Sequence, residues 1–464
     1  MDRARRNAFR PALVVLMLAL AAGASAQGVE TDELGARVEA LYLGAGIAMP
    51  SVSRPASERE LLQMLRLLAA WTDDEPIAAR ARRLAREIRA RADDQTLLVD
   101  FALTPEYYAG IDRGDFRDQV RVESPFAELS LGYGIPIGPA FVITAALQRE
   151  WSYSDAPTNV PRPIDGNPLP FENNFVTEGY LSLPVGLAEV TFGRQNLSIG
   201  PDPENTLSIS SRIPYLDALR TTLSFGRLKM TWVVSTLENG RARLDPALPP
   251  DPTDPLYGFD SNTIFYNIHY FEYAWPSVRV GIGSQVVLAR RMNTFHLGDF
   301  FPVFSWHNAD ITPNNMSLLA DVTVSPAERL DLFFQLGLDD ISGEAVGVSD
   351  SAVPTIDAYV LGARYSLPAL GLSAAVTGGS THYLWGNFDD DDYLARVIYR
   401  METDGPRPSL PLTSPYGPGV LWADARVGAR YADLTADLRY IVRGELPGVD
   451  LYSLPYAANP SLES

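Results

Sequence analysis

Cysteine is absent from this 464-residue sequence, and lysine occurs only once, at Lys229. A chain without cysteine forms no disulfide framework, no thiolate metal site and no cysteine nucleophile. The four histidines do not have the spacing of a zinc-binding helix. Neither a glycine-rich phosphate loop nor a nucleophile-elbow pentapeptide occurs. We therefore expect no metal, no cofactor and no catalytic residues.

The sequence instead contains strict two-residue alternation of apolar and charged residues. Between Leu421 and Tyr431 the apolar side chains fall on one face of an extended strand, while Trp422, Asp424 and Arg426 fall on the other. The segment from Leu434 to Val442 repeats this scheme. A soluble sandwich rarely needs so many long strands of this kind. The pattern is typical of a transmembrane β-barrel, whose apolar face meets lipid and whose polar face lines the lumen.

The first 26 residues have the organisation of a signal peptide. Four arginines within the first ten residues precede an apolar stretch from Ala12 to Ala22, and Ala24-Ser25-Ala26 supplies small residues for cleavage. No later run of 18 apolar residues occurs, so a helical membrane anchor is not expected. The segment carries four arginines and Asp2, a net of +3, so its removal changes the formal charge from −19 to −22. We expect the mature chain to lie in the outer membrane of a diderm bacterium.

Residues 27–95 are predicted to form a small periplasmic helical subdomain. Ser57, with Glu60 three positions later, forms a capping box ahead of apolar residues that recur at the helical period up to Leu68. Pro76 opens a second helix that has one apolar face and arginines over most of the rest. Two interpretations of this basic face remain open: contact with an anionic surface, or exposure to solvent. Exposure to solvent is favoured.

Residues 96–464 are predicted to form one large antiparallel transmembrane β-barrel. The alternation recurs, for example, in Val278–Ile282, Leu318–Val324 and Leu332–Leu338. Each strand with its turn uses roughly 20 residues in such barrels, so the region allows about 16 to 18 strands. Aromatic residues near predicted strand ends fit interface girdles; they are Tyr133, Trp151, Tyr273 and Trp275.

Two acidic segments interrupt the strand pattern. Residues 243–260 are rich in Asp and Pro, and Asp389–Asp392 are four adjacent carboxylates. Calcium at Asp389–Asp392 is one interpretation. The alternating ligand spacing and central glycine of a calcium loop are absent, so a solvated, mutually repelling loop is favoured.

Two stretches resemble the capsule-assembly Wzi family of outer-membrane proteins. The first comprises Phe192-Gly193-Arg194-Gln195, Gly200-Pro201, Leu207-Ser208-Ile209-Ser210 and Pro214. The second comprises Phe301-Pro302, His307-Asn308, Asn314-Asn315, Asp321, Leu332-Phe333-Phe334-Gln335-Leu336 and Asp339-Asp340. Arg54-Pro55 also fits the amino-terminal helical part of that family. The resemblance implies a barrel with a periplasmic helical bundle that binds surface polysaccharide without cleaving it.

A polysaccharide site needs hydrogen-bond donors and acceptors for hydroxyl groups, and aromatic rings for the apolar faces of sugars. The candidate ligand-binding residues supply these types and are Arg194, Gln195, Arg212, Trp306, His307, Asn308, Asn314 and Asn315. For His307, Asn308 and Asn315, hydrogen bonds that pin loops are favoured over direct sugar contact. Strand register points Arg194 outward unless its strand ends before it.

We predict a monomeric, non-catalytic barrel that binds or organises capsule-like surface polysaccharide, is surrounded by outer-membrane lipid and has no nucleic-acid partner. The acidic net charge opposes an acidic polymer unless arginines or a divalent cation mediate the contact. The alternative is a diffusion porin for small solutes, and a weaker alternative is a lipid- or glycan-modifying barrel enzyme that uses His307. If residues 194–214 form a constriction in the lumen, ligand binding is favoured over conduction.

Overall fold

Within the residues that the structure describes, three helices are followed by a large antiparallel sheet. The computed structural model describes residues 27–93, 96–103, 127–134, 139–149, 151–153, 161–163, 171–213, 215–237, 264–290, 314–341, 354–367, 371–387, 397–400, 410–414, 416–431 and 434–444. The helices are α1 (Gln27–Ala45), α2 (Glu58–Trp71) and α3 (Glu75–Asp93). The strands are β1 (Ser53–Arg54), β2 (Thr96–Leu103), β3 (Ala127–Gly134), β4 (Ala140–Arg149), β5 (Trp151–Tyr153), β6 (Pro161–Pro163), β7 (Phe171–Val185), β8 (Ala188–Gln195), β9 (Ser198–Ile199), β10 (Leu216–Phe225), β11 (Leu228–Leu237), β12 (Ile264–Ala274), β13 (Val278–Ala289), β14 (Asn314–Ala327), β15 (Leu330–Asp340), β16 (Ile356–Leu367), β17 (Leu372–Thr381), β18 (Ile398–Arg400), β19 (Leu410–Pro411), β20 (Leu421–Tyr431) and β21 (Leu434–Gly444).

One sheet of 15 strands, counted within the described residues, forms the body of the molecule. Its order is β2-β3-β4-β7-β8-β10-β11-β12-β13-β14-β15-β16-β17-β20-β21, so strands that follow one another in sequence pair, apart from short inserted strands. This up-and-down arrangement is the predicted fold class, with a strand number just below the predicted 16 to 18. Among the described residues, no pairing joins β2 to β21.

The two faces of the sheet are those that the alternation predicts. On β13, Ile282 is 63% exposed on the outer face, whereas Arg279 on the inner face is fully buried. On β14, Leu318 faces outward at 44% exposure, and Asp321 faces inward at 5%. The sheet therefore presents apolar residues outward and polar residues inward, the inverse of a soluble protein.

The two ends of the sheet differ in the length of their connections. At one end, here called the helix end, successive strands are joined by two to five residues, as between β10 and β11. At the opposite end, the loop end, the connections run from 15 to 39 residues. Aromatic residues mark the helix end, where Tyr273 and Trp275 are partly exposed with ring centroids 4.6 Å apart, and Tyr133 is 47% exposed. The side chain of Trp151 lies outside the described residues.

The three helices pack against one another at the helix end. Their shared core contains Leu34, Val38, Tyr42, Leu61, Leu65, Leu68, Leu84 and Ile88. The predicted capping box is present, because the Ser57 Oγ accepts from the Glu60 backbone at 3.3 Å and a Glu60 oxygen accepts from the Ser57 backbone at 3.0 Å. None of the helices described is long and apolar enough to cross a membrane.

Backbone contacts attach the helices to the short connections of the sheet. The Arg329 amide donates to the Leu43 carbonyl at 2.7 Å, and the Ala48 amide donates to the Pro276 carbonyl at 2.8 Å. Gly46 has φ +63, and a Cβ there would lie 2.7 Å from the Glu328 nitrogen, so only glycine fits this approach. The three helices therefore cover the helix end of the sheet.

Candidate ligand-binding site in the lumen

The connection between β8 and β10 folds inward instead of extending beyond the sheet. Its described residues 196–213, here called the inner loop, turn at Gly200, whose φ of +145 and contact with Thr206 leave no room for a side chain. Asp202 fixes the next turn, because its Oδ1 accepts from the amides of Glu204 at 3.1 Å and Asn205 at 3.3 Å. These local bonds give the inner loop a defined shape.

Two glutamines of the opposite wall hold the inner loop. The Gln335 Oε1 on β15 accepts from the Leu207 amide at 2.8 Å and from the Thr206 hydroxyl at 3.1 Å. The Gln285 Nε2 on β13 donates to the Leu207 carbonyl at 3.1 Å. Both backbone groups of Leu207 are thus satisfied by side chains of the wall, as a buried backbone requires. Since the inner loop starts from β8, the sheet must curve around it.

A charged network continues this attachment to β17 and β20. Asp202 accepts from the Thr377 hydroxyl at 2.7 Å, and the Asn205 amide bridges Asp202 and Asp424 at 2.9 Å each. Arg426 in turn donates to Asp424 at 2.6 Å and to Glu204 at 3.0 Å. Burial alone raises the pKa of Asp202, but Arg426 and the hydrogen bonds from its neighbours hold that pKa below its ordinary value.

The segment between α1 and α2 enters the lumen from the helix end. In this inner segment, residues 46–57, Glu272 of β12 accepts from the Val52 amide at 2.7 Å and from the hydroxyls of Ser51 and Ser53 at 2.8 and 2.9 Å. Arg279 of β13 lies 3.6 Å from Glu272 and also pairs with Asp321. The completely buried carboxylate is therefore both hydrogen-bonded and charge-compensated.

The inner segment and the inner loop meet and form one unit, here called the plug. Ser53 pairs with Ile199 as β1 and β9. Lys229 of β11 lies 3.0 Å from Glu60 at the start of α2, and both side chains are 5% exposed. Burial raises the pKa of Glu60, but Lys229 and Arg220 hold it below the ordinary value. Arg220 of β10 donates to the Pro55 carbonyl at 2.7 Å, so the plug is bonded to strands from β10 to β20.

Two arginines tie α1 to the plug and to the wall. Glu39 of α1 accepts from Arg54 at 2.7 Å and also pairs with Arg364 of β16. Burial raises the pKa of Glu39, but Arg54 and Arg364 hold it below the ordinary value. Glu39 therefore links α1 by ion pairs to both the plug and the barrel wall.

The structure brings only some of the predicted ligand-binding residues into the lumen. Arg212 is 8% exposed and lies against Tyr416, its Nη2 being 3.3 Å from the hydroxyl. The Asn315 amide donates to the Asn387 carbonyl at 2.6 Å, so it holds a loop. The Gln195 amide donates to the carbonyls of Gly193 and Ala218, at 3.3 and 3.2 Å.

Other predicted residues lie elsewhere or outside the described part. Arg194 pairs with Asp217 of β10 at 2.8 Å and stacks on Tyr215. Its cross-strand partner Asp217 is exposed, so Arg194 faces outward, as strand register predicts. Asn314 lies on the opposite face of β14 from Asn315. Trp306, His307, Asn308 and Asp389–Asp392 lie outside the described residues, as does the predicted signal peptide.

Most of the residues that hold the plug are not among the ligand-binding residues predicted from the sequence. Three of them are polar residues on the inward faces of strands: Gln285, Glu272 and Asp424. Strand alternation predicts that these side chains face inward but not which residues they contact. Gln335 lies within the motif resemblance, and the structure gives it a positional role. Within the part of the chain that the structure describes, no group of three or more side chains is arranged to hold a metal ion.

An antiparallel sheet with an apolar outer face, a polar inner face and one set of short connections defines the class of outer-membrane β-barrel proteins. The fold is similar to that of Wzi from Escherichia coli, an outer-membrane protein involved in group 1 capsule assembly and described as a carbohydrate-binding β-barrel. The two share 12% identity over 89% of this chain and 84% of Wzi, with a TM-score of 0.53. The predicted resemblance in fold is therefore confirmed.

Other solved structures match more weakly. The outer-membrane channel DcaP of Acinetobacter baumannii has 10% identity over 68% of this chain and 78% of its own, with a TM-score of 0.35. OccK5 of Pseudomonas aeruginosa has 13% identity over 69% and 91%, with a TM-score of 0.29. No protein-family model and no curated protein matches the sequence.

Proposed function

We propose that this outer-membrane barrel is a plugged, non-catalytic protein that binds or organises cell-surface polysaccharide. The observation that carries the proposal is the plug itself. The inner loop crosses from β8 to Gln335 and Gln285 on the far wall, and buried ionic contacts hold it there. A diffusion porin needs an open bore, whereas a plugged lumen supplies a rigid platform for a ligand.

Orientation in the membrane follows from the connections. Outer-membrane barrels have short periplasmic turns and longer extracellular loops. We therefore assign the helix end to the periplasm and the loop end to the cell surface. Arg212 and Tyr416 then lie in the part of the lumen held by the long connections, where a guanidinium and an aromatic ring are suited to sugar hydroxyls and ring faces. The protein acts as a monomer surrounded by lipid, without cofactor, metal or nucleic acid.

The test compares retention of surface glycan in a deletion strain with that in strains complemented by wild-type or variant protein. We expect the deletion to release glycan into the medium, Arg212→Ala to restore retention only partly, and the exposed-helix control Arg82→Ala to restore it fully. In planar bilayers the purified wild-type barrel should show no steady open pore. Unchanged glycan retention in the deletion strain, together with no binding of that glycan by purified protein, contradicts the proposal.

A further inference from the structure

The plug does not fill the lumen evenly, because two cavities lie between it and the wall made by β4, β7 and β8. Their volumes are about 240 Å³ and 110 Å³, and Pro55, Glu178 and Tyr180 border both. A water molecule takes up about 30 Å³ in the liquid, so each cavity has room for several waters or a small solute. The two cavities together are called the side crevice.

The side crevice reaches the helix end of the barrel. Its smaller cavity is bordered by Ala140 at the start of β4, by Pro184 near the end of β7 and by Glu189 near the start of β8. All three flank short connections of the sheet. A solute therefore approaches from the side that we assign to the periplasm, away from the long loops.

The wall of the crevice is fixed by strand register. Leu181 and Leu183 of β7 are 40% and 38% exposed on the outer face, so the alternating residues Glu178, Tyr180 and Ser182 face inward. The Ser182 hydroxyl donates to Glu189 of β8 at 2.7 Å. The wall thus offers one aromatic ring, hydroxyl groups and carboxylates from rigid strands.

The side of the crevice opposite this wall, formed by the plug and α1, carries charges of both signs. Arg54 and Glu39 pair at 2.7 Å, yet their side chains remain 30% and 25% exposed. Both residues border the larger cavity. By contrast, Arg279 and Glu272 on the attached side of the plug have no exposed side-chain surface. The crevice therefore has accessible donors and acceptors close to an aromatic ring.

We propose that the side crevice is a binding site for a short, uncharged saccharide segment that enters from the helix end. Tyr180 supplies a ring for the apolar face of a sugar, and Arg54 with Glu39 supplies a donor and an acceptor for hydroxyl groups. Acidic sugars are disfavoured because carboxylates outnumber guanidinium groups around the crevice by five to three: Glu39, Glu58, Glu60, Glu178 and Glu189 against Arg54, Arg59 and Arg220. This inference rests on the proposed function and adds a second saccharide site, towards the opposite end of the lumen from Arg212 and Tyr416; its test uses purified barrel and needs no surface glycan.

The absence of cysteine makes single-cysteine labelling a clean assay. Ser182→Cys places a thiol in the crevice, and Ser325→Cys is the matched control. Both serines face inward at the helix end and donate to a carboxylate of the next strand, Ser325 to Asp331 at 2.6 Å. We expect N-ethylmaleimide to modify the thiol at position 182 at least tenfold faster than the thiol at position 325.

Protection then tests the ligand class. An excess of a neutral trisaccharide, from a set of maltotriose, mannotriose and galactotriose, should slow labelling at position 182 and leave position 325 unchanged. Trigalacturonate should not protect, and Tyr180→Ala in the Ser182→Cys background should abolish the protection.

Three outcomes overturn the inference. Equal labelling rates at positions 182 and 325 mean that no crevice is open. Fast labelling that no neutral trisaccharide slows means that the crevice holds only water. Protection by trigalacturonate equal to that by the neutral sugars contradicts the charge selection. Since the assay does not measure glycan retention, protection at position 182, combined with unchanged retention in the deletion strain and no binding of the surface glycan by purified protein, would reject the proposed function alone.

Discussion

Replacing Lys229 with methionine should loosen the helices from the barrel. Lys229 lies 3.0 Å from Glu60, and both are almost fully buried. Methionine keeps the approximate size of the side chain but leaves the Glu60 carboxylate without its nearest positive partner. Breaking a buried ion pair by removing one partner costs about 3–5 kcal/mol. Arg220 still acts on Glu60, so we expect a cost near the lower end, about 3 kcal/mol.

Amide hydrogen exchange of α2, followed by mass spectrometry in detergent, measures this change. At 1.4 kcal/mol per tenfold, a cost of about 3 kcal/mol makes exchange at Leu61–Leu68 about a hundredfold faster. The strands should be unaffected, because the opening is local. Adding Glu60→Gln should recover most of the loss, since it removes the second buried charge and glutamine still serves the capping box.

The control is Arg82→Met, which removes an exposed pair with Glu75 and should change the exchange by well under 1 kcal/mol. An exchange rate in Lys229→Met within threefold of wild type would refute the reasoning that a buried ion pair anchors α2 to the barrel.

Three further predictions concern acid, the inner loop and the lipid-facing surface. The pKa of Glu39 is held below its ordinary 4.5, so its stabilisation is complete above pH 4.5 and is lost as the pH falls through the lower native value; the protection factors of the α1 amides, corrected for the intrinsic exchange rate at each pH, should therefore fall below pH 4.5. Gln335→Ala leaves the buried Leu207 amide without its acceptor at a cost of about 1–3 kcal/mol, and should produce intermittent conductance in planar bilayers. Ile282→Arg places a cation on the lipid-facing surface near the middle of β13 and should destabilise the barrel by about 2–4 kcal/mol in urea unfolding from lipid vesicles.

Each of these predictions has its own control. Glu39→Gln should exchange fast already at pH 7 and lose its acid response, and a wild-type acid response in this variant would contradict the assignment to Glu39. Gln63→Ala at the helix end should remain silent in bilayers, so equal conductance in both glutamine variants would argue against a gating role for Gln335. Ile282→Ala should cost far less than Ile282→Arg, and comparable costs would mean that Ile282 does not face lipid.

The sequence predicts the faces of the strands well because strand geometry has a fixed period of two. Ile282 and Arg279 occupy opposite faces for that reason alone. The capping box at Ser57 and Glu60 is likewise local and is found where predicted. Alternation predicts the outward register of Arg194 as well.

The plug could not be predicted in the same way, because its contacts join residues far apart in the chain. Glu272 and Ser51 are separated by 221 positions, and neither belongs to a local motif. The inner segment has no periodic pattern, so nothing in it indicates entry into the lumen. The role of Gln335 likewise depends on which loop reaches it, and this is set by the curvature of the whole sheet.

The burial of Lys229 beneath Glu60 has a practical consequence, since no other lysine side chain exists in the sequence. While the helices are seated, this amine is shielded from acylating reagents. Separation of the helices from the barrel exposes the amine, so the acylated fraction of Lys229 would measure the fraction of molecules in which the helix end has opened. The native protein thus carries its own chemical reporter, without an added dye or tag.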